Sequence, residues 1–441
     1  MGSPLSLPSS LLLVISLAGA VCAAPIKHLH EELLSGEACV AMGARAAGHA
    51  INPSDVFHAA KVDPALGRGA NAAELRRGML ALGIEPGSAV SDPVVAWRGL
   101  CVDLGAKVPS VVYLAAAGRD PARWLLVGAQ VEAGLRVHDP VSPRGGVTLS
   151  EASFRKRWAK AGCVRLACRI ERARPAPKIS ERPTPAAYAR HIHGLRARLP
   201  HPRFTIVLTR PFVVLGDEAP ATVRRRAKAT VAWAVKRLKA LYFSKNPDHV
   251  IDVWLFKDRA SYLKHAKELF NDEPDTPYGY YSPTDKALVM NIATGGGTLV
   301  HEIVHPFMHA NFPGCPSWFN EGLASLYEQC GDRKGRINGF VNWRLKGLLS
   351  SIRDKELRSF PSLLATTSRE FYGRGSGSHY AQARYLCYYL QERGLLVKFF
   401  RRFTKTQAKD PGGVAALKAV LETKDLKAFQ RRWEEWVLKL R

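Results

Sequence analysis

The sequence predicts an α+β protein in which two folded regions follow a short apolar leader. Three observations carry that reading. β-Branched runs alternate with helical periodicities through the middle of the chain, apolar residues recur at three- and four-residue spacing to its end, and a stretch rich in proline and charge divides it near residue 175. With 441 residues the chain has enough apolar material for two or three separate cores.

Residues 11–20 are a short apolar run followed by small residues up to Ala23 and Ala24, the pattern of a secretory signal over residues 1–24. The run is too short to cross a bilayer, and no other segment reads as a transmembrane span. Export to a periplasmic or extracellular space is the expectation. Cys22 offers a lipid-anchored alternative, against which the large Val21 stands just before it.

Residues 25–170 form the first folded region. Residues 171–200 then read as a semi-rigid linker, because prolines and charges repeat from Arg172 to Pro185.

Residues 201–441 form the second. A β-branched run at 250–256 reads as a strand, 259–269 as a helix and 286–293 as another strand. The glycines of Thr294-Gly295-Gly296-Gly297-Thr298 end that strand, and Thr298 can cap the helix that follows. That helix carries His301-Glu302-Ile303-Val304-His305. Four residues advance an α-helix by 400°, so the two imidazoles project about 40° apart and can meet one metal ion. Glu302 lies beside them, outside the ligand pair, where a carboxylate can take a proton from zinc-bound water. A catalytic zinc needs a third protein ligand, and Glu321, early in the apolar-periodic segment after Pro313-Gly314-Cys315-Pro316, is the candidate. Pro306 should kink the helix, and it raises His309 as a rival ligand four residues beyond His305. Helical patterns at 338–352, 380–391, 395–403 and 426–440 complete the region.

The pair His301-Glu302-Ile303-Val304-His305 and Trp318-Phe319-Asn320-Glu321-Gly322-Leu323-Ala324 resembles the gluzincin metallopeptidases, the clan of thermolysin and aminopeptidase N. The similarity runs from about residue 204 to 441, and its layout is closest to the bacterial peptidase MA-like group. The resemblance implies a thermolysin-like zincin domain with a helical C-terminal subdomain, one catalytic Zn2+, and His301, His305 and Glu321 as its ligands. It also implies a strand at the sheet edge that holds substrate backbone, which places Asn291, Ile292 and Ala293 in the substrate groove. A Tyr or His from the C-terminal region should hold the oxyanion, with Tyr380 and His379 as candidates. No Gly-Ala-Met-Glu-Asn-type motif precedes the zinc helix, which favours endopeptidase over aminopeptidase action.

Residues 31–168 resemble the papain-like cysteine peptidase domain of bacteriocin-processing exporters, on Ser35-Gly36-Glu37-Ala38-Cys39-Val40-Ala41-Met42 opening a helix that ends at Gly48, residues 71–84 as a second helix, 109–114, 124–128 and His138-Asp139-Pro140. In that family a cysteine opens the first helix, and here the position holds Ser35. Cys39 matches a second, non-catalytic cysteine. The expected histidine falls near Ala122 or Arg123, and only Asp139 survives. The resemblance therefore implies a non-catalytic binding module, with Cys39 as nucleophile and His138 as base the competing reading.

Beyond the leader there are seven cysteines, an odd number, with Cys315–Cys330 and Cys163–Cys168 as conceivable pairs. About +20 of the net charge of +26 falls after residue 175, scattered as in Arg224-Arg225-Arg226 and Arg431-Arg432. Such charge attracts polyanions weakly; with no nucleic-acid motif beside it, the expected partners are a peptide or protein substrate and an acidic cell-envelope polymer or acidic protein. Three functional classes stay open: a secreted zinc peptidase, a two-domain binding protein whose peptidase sites have decayed, and a structural zinc protein closed by a fourth ligand such as His309. A base beside the metal ligands serves only the first.

Overall fold

The structure is a computed structural model and describes residues 25–170, 172–200 and 203–441. The expected signal segment and Cys22 lie outside the described residues. The fold is mixed α+β, 48% helix, with several small sheets and a helical C-terminal region. Among the described residues no helix is long and apolar enough to cross a membrane. Two compact units emerge, one from residues up to 62 with 68–179, the other from 63–67 with 180–441.

In the first unit, helix α1 (Ser35–Ala46) is buried along nearly its whole length, because alanine, glycine and valine leave no polar side to present to water. A five-stranded antiparallel sheet follows: β1 (Ser110–Leu114), β2 (Arg123–Val131), β3 (Gly134–His138), β4 (Gly146–Leu149) and β5 (Arg165–Ala167), in the order β4-β3-β2-β1-β5. Val112, Leu114, Leu125, Val127 and Val137 pack with Phe154 and Trp158.

The second unit opens with a departure from the expected linker. Residues Pro185–Arg198 form helix α2, in which Thr184 accepts a hydrogen bond from the Ala187 N–H and Pro185 occupies the first turn. Thr-Pro is thus a helix start rather than linker chemistry, since a proline there gives up no needed donor. The helix buries Tyr188, Ile192 and Leu195 against a five-stranded sheet. Its strands are β6 (Thr205–Thr209), β7 (Phe212–Gly216), β8 (Ile251–Phe256), β9 (Gly279–Ser282) and β10 (Ala287–Asn291), in the order β9-β10-β8-β7-β6. β7, β8 and β10 run parallel, while β6 and β9 flank them antiparallel. Every residue of β8 is buried, as a strand covered on both faces requires. Alternation then sorts the side chains: Val213, Leu215, Trp254, Phe256 and Val289 face α2, whereas Val214, Val253, Leu255, Leu288 and Met290 face the helices that follow.

Helix α3 (Arg259–Phe270) starts at Asp258, whose carboxylate accepts from the Ser261 N–H. Helix α4 (Gly296–Asn311) carries the two histidines and runs unbroken through Pro306, so the expected kink does not divide it. Its start also differs from the expectation. Gly295, at φ 108°, is the residue before the helix, and Thr298 lies inside the first turn without capping it. Helix α5 (Ser317–Leu326) returns after a short turn and carries Glu321. A hairpin of β11 (Cys330–Arg333) and β12 (Arg336–Gly339) comes next, which is why the expected helix at 338–352 begins only at α6 (Arg344–Arg353). Helices α7 (Ser368–Tyr372), α8 (Ser376–Glu392), α9 (Leu396–Thr406) and α10 (Leu426–Val437) close the core with Phe399, Phe403, Phe429 and Trp433.

All seven described cysteines are free thiols, so neither conceivable pair is bonded. Helix α5 lies between Cys315 and Cys330, and strand β5 lies between Cys163 and Cys168.

Candidate metal centre

Helix α4 is amphipathic in a particular sense: Leu299, Val300, Ile303, Val304, Phe307 and Met308 fill the core. His301, Glu302 and His305 occupy the remaining face, and their ligand atoms all lie within 4.8 Å of one another. Spacing alone predicted that face. What arrives against it comes from α5 and from beyond α5.

Glu321 Oε2 lies 3.3 Å from His301 Nε2 and 3.9 Å from His305 Nε2. The other oxygen, Oε1, accepts a 2.7 Å hydrogen bond from the Tyr372 hydroxyl. Oε2 itself is buried and accepts no hydrogen bond. A buried carboxylate oxygen without a donor is costly unless a cation sits near it. The His301-Glu302-His305 group could hold a metal ion, and Glu321 Oε2 lies beside both of its imidazoles.

The other nitrogen of each ring also has a polar neighbour. His305 Nδ1 is 3.2 Å from Asn320 Oδ1, and His301 Nδ1 is 3.3 Å from Glu328 Oε1. The Asn320 contact orients the His305 ring, whereas His301 Nδ1 makes no hydrogen bond and has the Glu328 carboxylate beside it. Glu328 can reach His301 because Gly297 presses on its backbone: a Cβ there would fall 1.9 Å from the Glu328 carbonyl oxygen. Gly322 plays the same part between α5 and α8, where a Cβ would meet the Ala383 carbonyl at 3.0 Å. The glycines in both motifs are therefore close-approach positions.

The electrostatics favour positive charge between these groups. Burial alone would depress His301, but Glu321, Glu328 and Glu302 overcome it and raise the ring to about 10. Burial pushes Glu321 and Glu328 up, and the histidines, with Arg344 on Glu328, bring both down to about 2. Glu302 goes the other way: only 9% exposed, it is raised by burial above the usual carboxylate range. A raised carboxyl is a better proton acceptor.

The centre opens into two cavities of about 580 and 590 Å³ that share Gly279, His301, Glu302 and Tyr380. Tyr380 lines both cavities, with its hydroxyl kept protonated by burial and by Glu321 and Tyr372. His379 does not reach the cleft. It is buried, with Nδ1 3.0 Å from the Phe371 carbonyl and Nε2 accepting from Arg358 Nε at 2.9 Å. Tyr372, which was not among the sequence candidates, lines the second cavity with Tyr380. His309 lines the second cavity; neither it nor Glu321 belongs to the group whose ligand atoms lie within 4.8 Å of one another, but Glu321 Oε2 is 3.3 and 3.9 Å from the two Nε2 atoms.

The expected substrate groove at Asn291–Ala293 is displaced. β10 is paired on both sides, to β8 and to β9, so it has no free edge. Asn291 and Ile292 are buried, and neither they nor Ala293 line either cavity. The edge is β9, whose Gly279, Tyr280 and Tyr281 line the second cavity. Four residues, Gly-Tyr-Tyr-Ser, gave too short a pattern to be read as a strand.

In the first unit, Asp139 is paired with Arg123 at 2.6 Å and accepts from the Val141 N–H. Cys39 is fully buried, and burial together with Cys168, Asp139 and Glu37 raises its thiol well above the ordinary value. A nucleophilic cysteine requires the opposite shift.

No model of a known protein family matches this chain, and no curated protein matches it in sequence.

Proposed function

We propose that the chain is a secreted zinc-dependent endopeptidase of gluzincin type, with His301, His305 and Glu321 as metal ligands and Glu302 as general base. The observation that carries this reading is the buried Glu321 Oε2, which accepts no hydrogen bond and lies 3.3 and 3.9 Å from the two Nε2 atoms. Ligands about 2.0–2.1 Å from a tetrahedral zinc stand about 3.4 Å apart, and two imidazoles with a carboxylate are a familiar catalytic donor set. When bound, zinc supplies Lewis acidity and lowers the pKa of water.

The protein's own groups divide the remaining work. The Glu302 carboxylate takes the proton released by the attacking water and passes it to the leaving amine. Tyr380, a protonated donor, faces the position where charge develops on the scissile carbonyl oxygen. Asn320 holds the His305 ring, Glu328 lies beside the His301 ring, and Tyr372 holds one oxygen of Glu321 so that the other faces them. The free edge of β9 offers backbone groups to an extended peptide. Two cavities that meet at Glu302 offer room for more chain than a single terminal residue, which supports internal cleavage. The first unit serves as a non-catalytic papain-like binding module, and the basic surface holds the protein near an acidic cell-envelope polymer or acidic protein.

Metal content by elemental analysis, beside hydrolysis of an unstructured protein substrate with and without chelator, tests the reading. Zinc at one per chain and chelator-sensitive cleavage are expected. The Glu302→Gln chain should retain zinc and lose a factor of about 10²–10⁴ or more in turnover. A chain that binds no zinc, or a Glu302→Gln chain that cleaves at the normal rate, refutes it.

A further inference from the structure

The first cavity runs from Glu302 and Tyr380 outward to Tyr278, Trp343 and Arg344. Trp343 is 69% exposed, the most of any large hydrophobic side chain among the described residues, and Tyr278 is 49% exposed. Single exposed apolar residues are ordinary on a protein surface. Two aromatic rings that line one cavity ending on a candidate general base are not.

Arg344 decides what these rings can receive. Its Nε and Nη2 donate to the Glu328 carboxylate at 2.9 and 2.7 Å, and its guanidinium carbon lies 4.2 Å from the Trp343 ring centre and 5.0 Å from that of Tyr380. Its side chain is 14% exposed. A free guanidinium would select carboxylates, but this one is already engaged fork to fork by Glu328. What it gives the cavity is a stacked support beneath Trp343, and the 69% exposure leaves the opposite ring face to solvent. A held aromatic face has little rotamer freedom left to lose on binding.

We infer that Trp343 and Tyr278 form a specificity subsite for a large apolar or aromatic side chain of the polypeptide substrate, with Arg344 as the residue that positions Trp343. The inference rests on the peptidase reading and extends it to substrate choice. Covering the free face of an indole favours apolar surface, and the continuity of the cavity with Glu302 and Tyr380 places the occupant next to the scissile bond.

The test uses the full zinc-loaded chain and peptides that differ at single positions. Cleavage sites mapped by mass spectrometry should be enriched in Phe, Tyr, Trp, Leu or Met at one fixed position relative to the cut. Trp343→Ala should lower kcat/KM for those peptides by roughly 10- to 100-fold and leave peptides with Gly there within about twofold, while Trp343→Phe keeps most of the preference. A preference unchanged in Trp343→Ala, or absent in the parent, overturns the subsite. Binding separates this result from failure of the peptidase reading. Labelled peptides are titrated by fluorescence anisotropy into Glu302→Gln chains with and without Trp343→Ala. A tighter fit of aromatic peptides that disappears with Trp343 supports the subsite even if no bond is cleaved, and equal binding overturns it.

Discussion

Glu328→Gln separates two roles that one carboxylate plays at once. The side chain is 14% exposed; it lies 3.3 Å from His301 Nδ1, accepts two hydrogen bonds from Arg344 at 2.9 and 2.7 Å, and accepts a third from Asn342 Nδ2 at 3.0 Å. Glutamine keeps the shape and removes the charge. Loss of a carboxylate behind a ligating histidine typically weakens metal binding by about 10- to 100-fold, which corresponds to about 1.4–2.8 kcal/mol. Arg344 meanwhile exchanges a charged fork for one neutral acceptor. Hydrogen bonds to charged groups contribute about 1.5–3 kcal/mol, so the metal-free protein should lose about 2 kcal/mol, or roughly 4–8 °C in Tm. Zinc affinity measured by chelator competition reads the first effect, and thermal unfolding of chelated protein reads the second. Lower stability with zinc affinity within twofold of the parent would show that Glu328 anchors Arg344 and leaves His301 alone. No change in either would refute both contacts.

Acid should weaken the metal-free protein in a defined window. Glu321 and Glu328 are held near 2 against an ordinary 4.5, so they contribute stability that is present above about pH 4.5 and lost as pH falls through their folded values. Glu302, raised by burial, works in the opposite sense and offsets part of this. Urea unfolding in chelator between pH 6 and 2 should show the decline, with a shallower slope in Glu328→Gln; a flat profile refutes the assigned shifts. Thiol titration in denaturant, without reductant, should count seven free thiols in a chain that begins at residue 25. In the native protein Cys39, Cys168 and Cys387 should stay unreactive, because burial raises all three thiols. A count of five would restore a disulfide such as Cys315–Cys330.

The ligand helix was legible in the sequence because its signal is local. Helical pitch alone puts His301 and His305 on one face, with Glu302 beside them, and apolar spacing turns the opposite face inward. Glu321 was legible one step further, since a turn and a second apolar helix limit where its carboxylate can go. By the same logic strand β8 and helix α3 were predicted nearly to the residue, each being a strong pattern with clear ends. Helix α2 was missed because Thr-Pro reads equally as a linker or a helix start, and only burial of Tyr188, Ile192 and Leu195 separates the two. Tertiary structure decided the rest. Short β9 displaced β10 from the sheet edge, His379 turned into the core toward Arg358, and Tyr372 took the place on the cleft. Glu328, Arg344 and Trp343 join the site from the end of α5 and the start of α6, across a hairpin that no periodicity announced. Contacts between residues far apart in sequence depend on which faces pack together, and that choice is made by the whole core rather than by any one segment.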